Sequence, residues 1–182
     1  MSGALPAAAS RAAELRVAFD RAFAEPIVLD TAFKEDLLKI RIGAQACAIR
    51  LSEIAGLHAD KRITAVPGSN AALRGIAGFR GAILPVYDLE ILLGHTNTRP
   101  PRWLVIAAGA PVALAFGVFE GQLRVARDAF LPHASRQDIA NYAREFVRSD
   151  EFVGPIMHVP SILDAIRKLE NRGEAKRGAL QS

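Results

Sequence analysis

Residues Gly75 to Leu89 read GIAGFRGAILPVYDL. Gly75, Gly78 and Gly81 recur every third residue across an apolar run, which suits tight turns and close strand approach and would weaken a helix interior. The segment therefore predicts a β-hairpin. Arg80 and Gly81 take the corner, where Gly81 reaches positive φ without a steric cost and Arg80 presents a guanidinium to solvent. Pro85 cannot donate to a strand ladder, so the returning strand Ala82 to Tyr87 is expected at a sheet edge or broken by a bulge. Asp88 stands where an N-cap would, ahead of Leu89, Ile91, Leu92 and Leu93, and Gly94 stands where a short helix would stop.

Outward from the hairpin, the pattern is one of short strands. Leu38, Ile40 and Ile42 alternate with Lys39 and Arg41, and Cys47, Ile49 and Leu51 continue the alternation after a turn at Gly43 to Gln45. Trp103 to Ala108, Val112 to Val118 and Gln122 to Val125 are further strands, and the polar stretch His95 to Arg102 reads as a crossing between two halves. From Ala126 to Arg136 the alternation lapses. Tyr142 to Arg148 and Phe152 to Val159 then pair around Ser149-Asp150, and Ser161 caps a final helix carrying Ile162, Leu163, Ile166 and Leu169. At the other end, Ala8, Ala12, Leu15, Phe19 and Phe23 mark one face of an amphipathic helix within residues 1–30, either docked on the main domain or used for self-association.

Composition narrows the function. Of 182 residues, 51% are hydrophobic, enough for a folded core, and no apolar run approaches the roughly 18 residues of a membrane span. The expectation is a cytoplasmic protein with no direct membrane insertion. The 23 Lys and Arg are interleaved with 19 Asp and Glu, so the net charge of +4 does not make a nucleic-acid footprint, and 7% aromatic residues supply few stacking platforms. Residues 171–182 read as a basic, flexible tail. Cys47 is the lone cysteine and sits in an apolar strand, which points to packing.

Chemistry is sought and not found. His58, His95, His133 and His158 fall in no metal-ligand spacing with one another or with Cys47. Ser52, Ser69 and Ser135 lack a strand-to-helix elbow, and the run from Gly68 to Gly81 lacks the Gly-Lys-Ser/Thr that grips phosphate. No catalytic residue, metal or cofactor is expected, and an enzyme is a poor fit.

The order Gly75, four residues, Arg80-Gly81, three residues, Pro85-Val86, one residue, Asp88-Leu89 resembles the signature of CheW-like coupling proteins of chemotaxis. LLKIRIGAQACAIRLSEI (Leu37 to Ile54), ITAVPG (Ile63 to Gly68), WLVIAA (Trp103 to Ala108) and VALAFGVFEGQLRV (Val112 to Val125) are similar to the family's strands on either side. The resemblance implies an all-β fold with flanking helices: two intertwined five-stranded SH3-like β-barrels over residues 31–170, with the N-terminal helix an addition. It implies a non-catalytic adaptor joining chemoreceptor cytoplasmic domains to the regulatory domain of the histidine kinase CheA, recruited to receptor clusters. The alternative is a divergent adaptor that binds a receptor or another scaffold without the kinase, through its N-terminal helix.

The same resemblance maps a receptor-facing groove onto Ile54, Gly75, Gly78, Phe79 and Arg80, with Val66 and Leu73 beside it. Gly81, Pro85 and Asp88 carry the structural motif. Kinase contacts are expected at strand edges of the first barrel near Arg41, Arg50 and Glu53. Three features depart from the family: Gly56 and Gly117 stand where carboxylates are common, and the final hairpin is shortened around Ser149 to Gly154.

Overall fold

A computed structural model describes residues 34–67, 70–95, 100–132 and 142–178, with side chains described as far as residue 172. The chain divides between Ala32 and Phe33, and every described residue belongs to the second unit. The helix expected over 1–30 lies outside the described residues, as do Gly68 and residues 96–99 of the expected crossing.

Among the described residues, eleven strands form two sheets. The first contains β1 (Lys34–Ile42), β2 (Gln45–Arg50), β8 (Val118–Ala126), β9 (Phe130–Pro132), β10 (Ala143–Arg148) and β11 (Val153–Met157), in the spatial order β8-β1-β2-β11-β10-β9. The second contains β3 (Ile54–Ala59), β4 (Leu73–Phe79), β5 (Ala82–Asp88), β6 (Trp103–Ala107) and β7 (Ala113–Phe116), in the order β3-β6-β7-β5-β4. The chain thus leaves the first sheet after β2, completes the second and returns. Two α-helices accompany the sheets among the described residues: α1 (Leu89–Leu92) and α2 (Val159–Gly178). The α2 helix starts two residues before Ser161 and runs into the segment read as a tail.

Strand alternation explains why neighbouring residues enter different cores. In β1, Leu38, Ile40 and Ile42 face a central core while Leu37 faces a second one with Leu123, Val125, Val147 and Ile156. In the second sheet Tyr87, Val105, Leu114 and Phe116 face the central core. Leu84, Val86, Leu104, Ala113 and Ala115 face a third. Val159, Ile162, Leu163 and Ile166 of α2 fill the central core at helical spacing. Burying each such side chain contributes about 1.5–3 kcal/mol before conformational entropy is subtracted.

Two expectations are corrected. Pro85 is not on an edge strand, since β5 lies between β7 and β4. It is tolerated because pairing with β7 begins only at Val86, one residue later, while Pro85 lies opposite Ile76 on the other side. The first sheet has six strands where five were expected, because Phe130–Pro132 adds a short strand beyond β10 in the stretch where the alternation lapses.

Candidate functional site

The β4–β5 corner forms as its two residues dictate. Phe79 lies opposite Ala82, leaving a two-residue connection. Arg80 has φ +45° and Gly81 φ +86°, so both central residues are left-handed, as a type I′ turn requires. The sequence anticipates Gly81 there. It does not anticipate that Arg80, a residue with a Cβ, is held in the same region at a cost of about 1–2 kcal/mol. Downstream, Asp88 closes the hairpin: its carboxylate accepts from the Glu90 and Ile91 amides at 2.9 and 3.3 Å and meets Arg74 Nε at 2.8 Å. Gly94 follows α1 with φ +82°.

The two end strands of the second sheet's order come together at this corner. The His58 ring of β3 lies 5.0 Å from the Phe79 ring of β4, and Lys61 Nζ stands 5.6 Å from the same ring. His58 has its pKa lowered by desolvation and then by the charges of Lys61 and Arg80. Gly56, two residues before His58, is where a side chain would crowd the imidazole, since an added Cβ would meet Nε2 at 3.2 Å.

The residues assigned to the receptor groove divide by burial. Gly78 and Arg80 are exposed, Ile54, Val66 and Leu73 are half-buried, and Gly75 and Phe79 are buried. An added Cβ on Gly75, at φ +145°, would lie 2.1 Å from the Thr64 carbonyl oxygen. Gly75 is therefore the place where the extended segment at Thr64 crosses β4, through two backbone bonds with Ile76 of 2.8 and 2.9 Å. It shapes the site from beneath. Ile54 and Leu73 pack against the central core, whereas Phe79 belongs to the third. Ile83, opposite Gly78, is 71% exposed and was missed because strand alternation alone does not say which face is covered.

The second group does not occupy free edges. Arg41 and Arg50 lie on β1 and β2, both interior to the six-stranded sheet, so the edge argument for them fails. Arg41 pairs with Glu120 and donates to the Ala44 carbonyl at 3.2 Å. Arg50 pairs with Glu35 at 2.8 Å, with Glu145, and more distantly with Glu53 at 3.9 Å, while its guanidinium lies 5.5 Å from the centre of the Phe130 ring. Glu53 also accepts the Val159 amide at 2.7 Å and so caps α2. These residues stitch strands and helix together. A cavity of about 700 Å³ opens beside them, lined by Arg127, Phe130, Arg144 and His158 among others.

Among the described residues no three His, Cys, Asp or Glu side chains cluster as metal ligands would, and no helix is long and apolar enough to cross a membrane. Burial pushes the Cys47 thiol up to about 12, with Glu120 adding to the shift, which suits a packing residue. Gly117, between β7 and β8, sits so that an added Cβ would be 3.5 Å from Glu90 Oε1.

The fold defines a class: a mostly-β domain of two sheets, threaded so that the second sheet is inserted between strands of the first, with one long C-terminal helix. Residues 36–167 match the CheW-like domain, and the chain belongs to that family of non-catalytic scaffold and adaptor domains of chemotaxis. The sequence is 32% identical over 74 residues to a probable chemotaxis protein CheW of Rhizobium etli. That match covers 40% of this chain and 48% of the relative, so the chain spans about half the length of the curated relative it matches. The crystal structure of the scaffolding protein TtCheW from Thermoanaerobacter tengcongensis superposes with a TM-score of 0.61, covering 69% of this chain and 89% of that one. Identity there is 17%, and the likeness is one of fold.

Proposed function

We propose that this chain is a cytoplasmic adaptor that couples chemoreceptor cytoplasmic tips to a CheA-type histidine kinase by binding alone. The observation that carries the reading is Arg80: an exposed guanidinium held at positive φ on a two-residue corner, with no acid partner among the described residues. Backbone strain of this kind persists where the surroundings enforce it and is common at ligand clamps. A helical receptor hairpin would lay apolar side chains near Ile83 and Gly78 and direct carboxylates to the guanidinium.

Each sheet wraps a core of its own while sharing a central one, and the His58–Phe79 contact joins the end strands of the second sheet. These features support two interlocked SH3-like barrels spanning residues 31–170. Kinase contacts from the first barrel are carried by the outward faces of the Arg41 and Arg50 clusters rather than by strand edges.

A pull-down of the purified full chain against a CheA regulatory domain and a receptor cytoplasmic fragment from the same cell, with Arg80→Ala beside wild type, tests the reading. Capture of both, with only the receptor lost in the variant, is the expected result. Capture of the receptor without the kinase would favour the divergent adaptor, and Gly117, whose site faces Glu90 in place of a carboxylate of its own, would be the first position to restore.

A further inference from the structure

Three elements bring two cations and an imidazole to one place. His58 comes from β3 and Lys61 from the bend that follows it, both against the Phe79 ring, and Arg80 follows Phe79 at the β4–β5 corner. Lys61 and Arg80 are exposed, and both charges act on His58. The neighbouring acid is committed elsewhere: Asp60, itself at φ +54°, turns to Arg102, whose Nε lies 3.2 Å from Oδ1, and its amide donates to the Arg102 carbonyl at 2.9 Å. Among the described residues no carboxylate pairs with Lys61, Arg62 or Arg80. This contrasts with Arg41, Arg50, Arg74 and Arg124, each of which has an acid partner.

Neighbouring cations without acid partners repel one another, and a partner that supplies carboxylates relieves that repulsion. The ring fixes Lys61 by a cation–π contact, which reduces the entropy it loses on pairing. The left-handed backbone at Arg80 sets the direction in which its side chain leaves the corner.

We infer that Lys61 is a second specificity-determining cation beside Arg80, and that with His58 it reads a pair of carboxylates on an acidic helical turn of the receptor tip. The inference rests on the proposed receptor-binding function and deepens it, since one guanidinium would accept any single acid whereas two neighbouring cations select a pair.

The test measures affinity of the full chain for the receptor cytoplasmic fragment, and for the same fragment with tip Asp and Glu changed to amides, across a salt series. Lys61→Gln is expected to weaken binding to the acidic fragment about five-fold at low salt, to flatten the salt dependence, and to change nothing against the amidated one. The His58 imidazole, followed by NMR in wild type, is expected to titrate at higher pH once the acidic fragment is bound.

If wild type and Arg80→Gln differ while Lys61→Gln stays within about two-fold of wild type and His58 does not move, the inference is overturned and receptor binding stands. If wild type binds neither fragment, the receptor function falls and this inference with it.

Discussion

Arg74 Nε lies 2.8 Å from the Asp88 carboxylate, which has no solvent exposure and caps α1 through the amides of Glu90 and Ile91. One side chain thereby ties β4, β5 and the helix that follows. Asp88→Ala removes the cap and leaves the guanidinium without its acid; because Arg74 is one-third exposed, the loss is expected at about 2–3 kcal/mol, below that of a fully buried pair. Asp88→Asn keeps an acceptor for the amides and should lose about half as much. Urea unfolding of the two variants checks the order, and equal losses would show that the cap contributes nothing.

Gly75 and Gly78 look alike in the sequence and should behave oppositely. Gly75→Ala forces a Cβ into the Thr64 carbonyl at positive φ and is expected to cost about 3 kcal/mol or to prevent folding. Nothing lies within 4 Å of a Cβ on Gly78, so Gly78→Ala should change stability by less than about 0.5 kcal/mol. Thermal melts of the pair decide it.

At the corner, stability and binding should separate. Arg80→Gly releases the left-handed strain and is expected to raise stability by about 0.5–1 kcal/mol, after the extra freedom of glycine in the unfolded chain is counted. Receptor affinity should fall in the same variant. Gly81→Ala places its Cβ in open space, so its cost is the φ penalty alone, about 1–2 kcal/mol. A rise in both stability and affinity for Arg80→Gly would remove Arg80 from the site.

Alkaline pH should unfold the domain through two buried acids. The Cys47 thiol is raised from 9.0 to about 12 by burial, and the Tyr87 hydroxyl is raised from 10.0 by burial and by its 2.5 Å bond to Glu170. The native state holds these protons more tightly than the unfolded chain, so their contribution is complete below pH 9 and is lost as pH rises from 9 through about 12. Cys47→Ala should lower the baseline yet flatten that decline, measured as urea midpoints across the range. A thiol reagent that labels Cys47 without unfolding would contradict its burial.

How much was legible in the sequence follows the range of the forces. The Arg80–Gly81 corner, the Asp88 cap, the Gly94 stop and the strand alternation each depend on residues no more than a few positions apart, so composition and spacing were enough to find them, though not the left-handed backbone at Arg80. The edge alternative for Pro85 fails because the partner that begins at Val86 is a strand from another part of the chain, while the β4–β5 pairing does carry a register shift, between Leu73 and Gly75. The short strand Phe130–Pro132 carries too few residues to show a period, and its pairing with β10 defines it. Arg50 and Glu53 read as kinase contacts near a strand edge and also serve as joints: Glu53 caps a helix whose amide lies 106 residues away.

Gly75 and Lys61 show the same divide within the site. The amino-acid sequence by itself determined that glycines stand at the turns of Gly43, Gly81 and Gly94 and that Arg80 is offered at a corner. That Thr64 presses on Gly75, and that His58 and Lys61 gather on Phe79 beside Arg80, were decided by tertiary structure, because contacts between distant segments exist only after the sheet has brought them within van der Waals range.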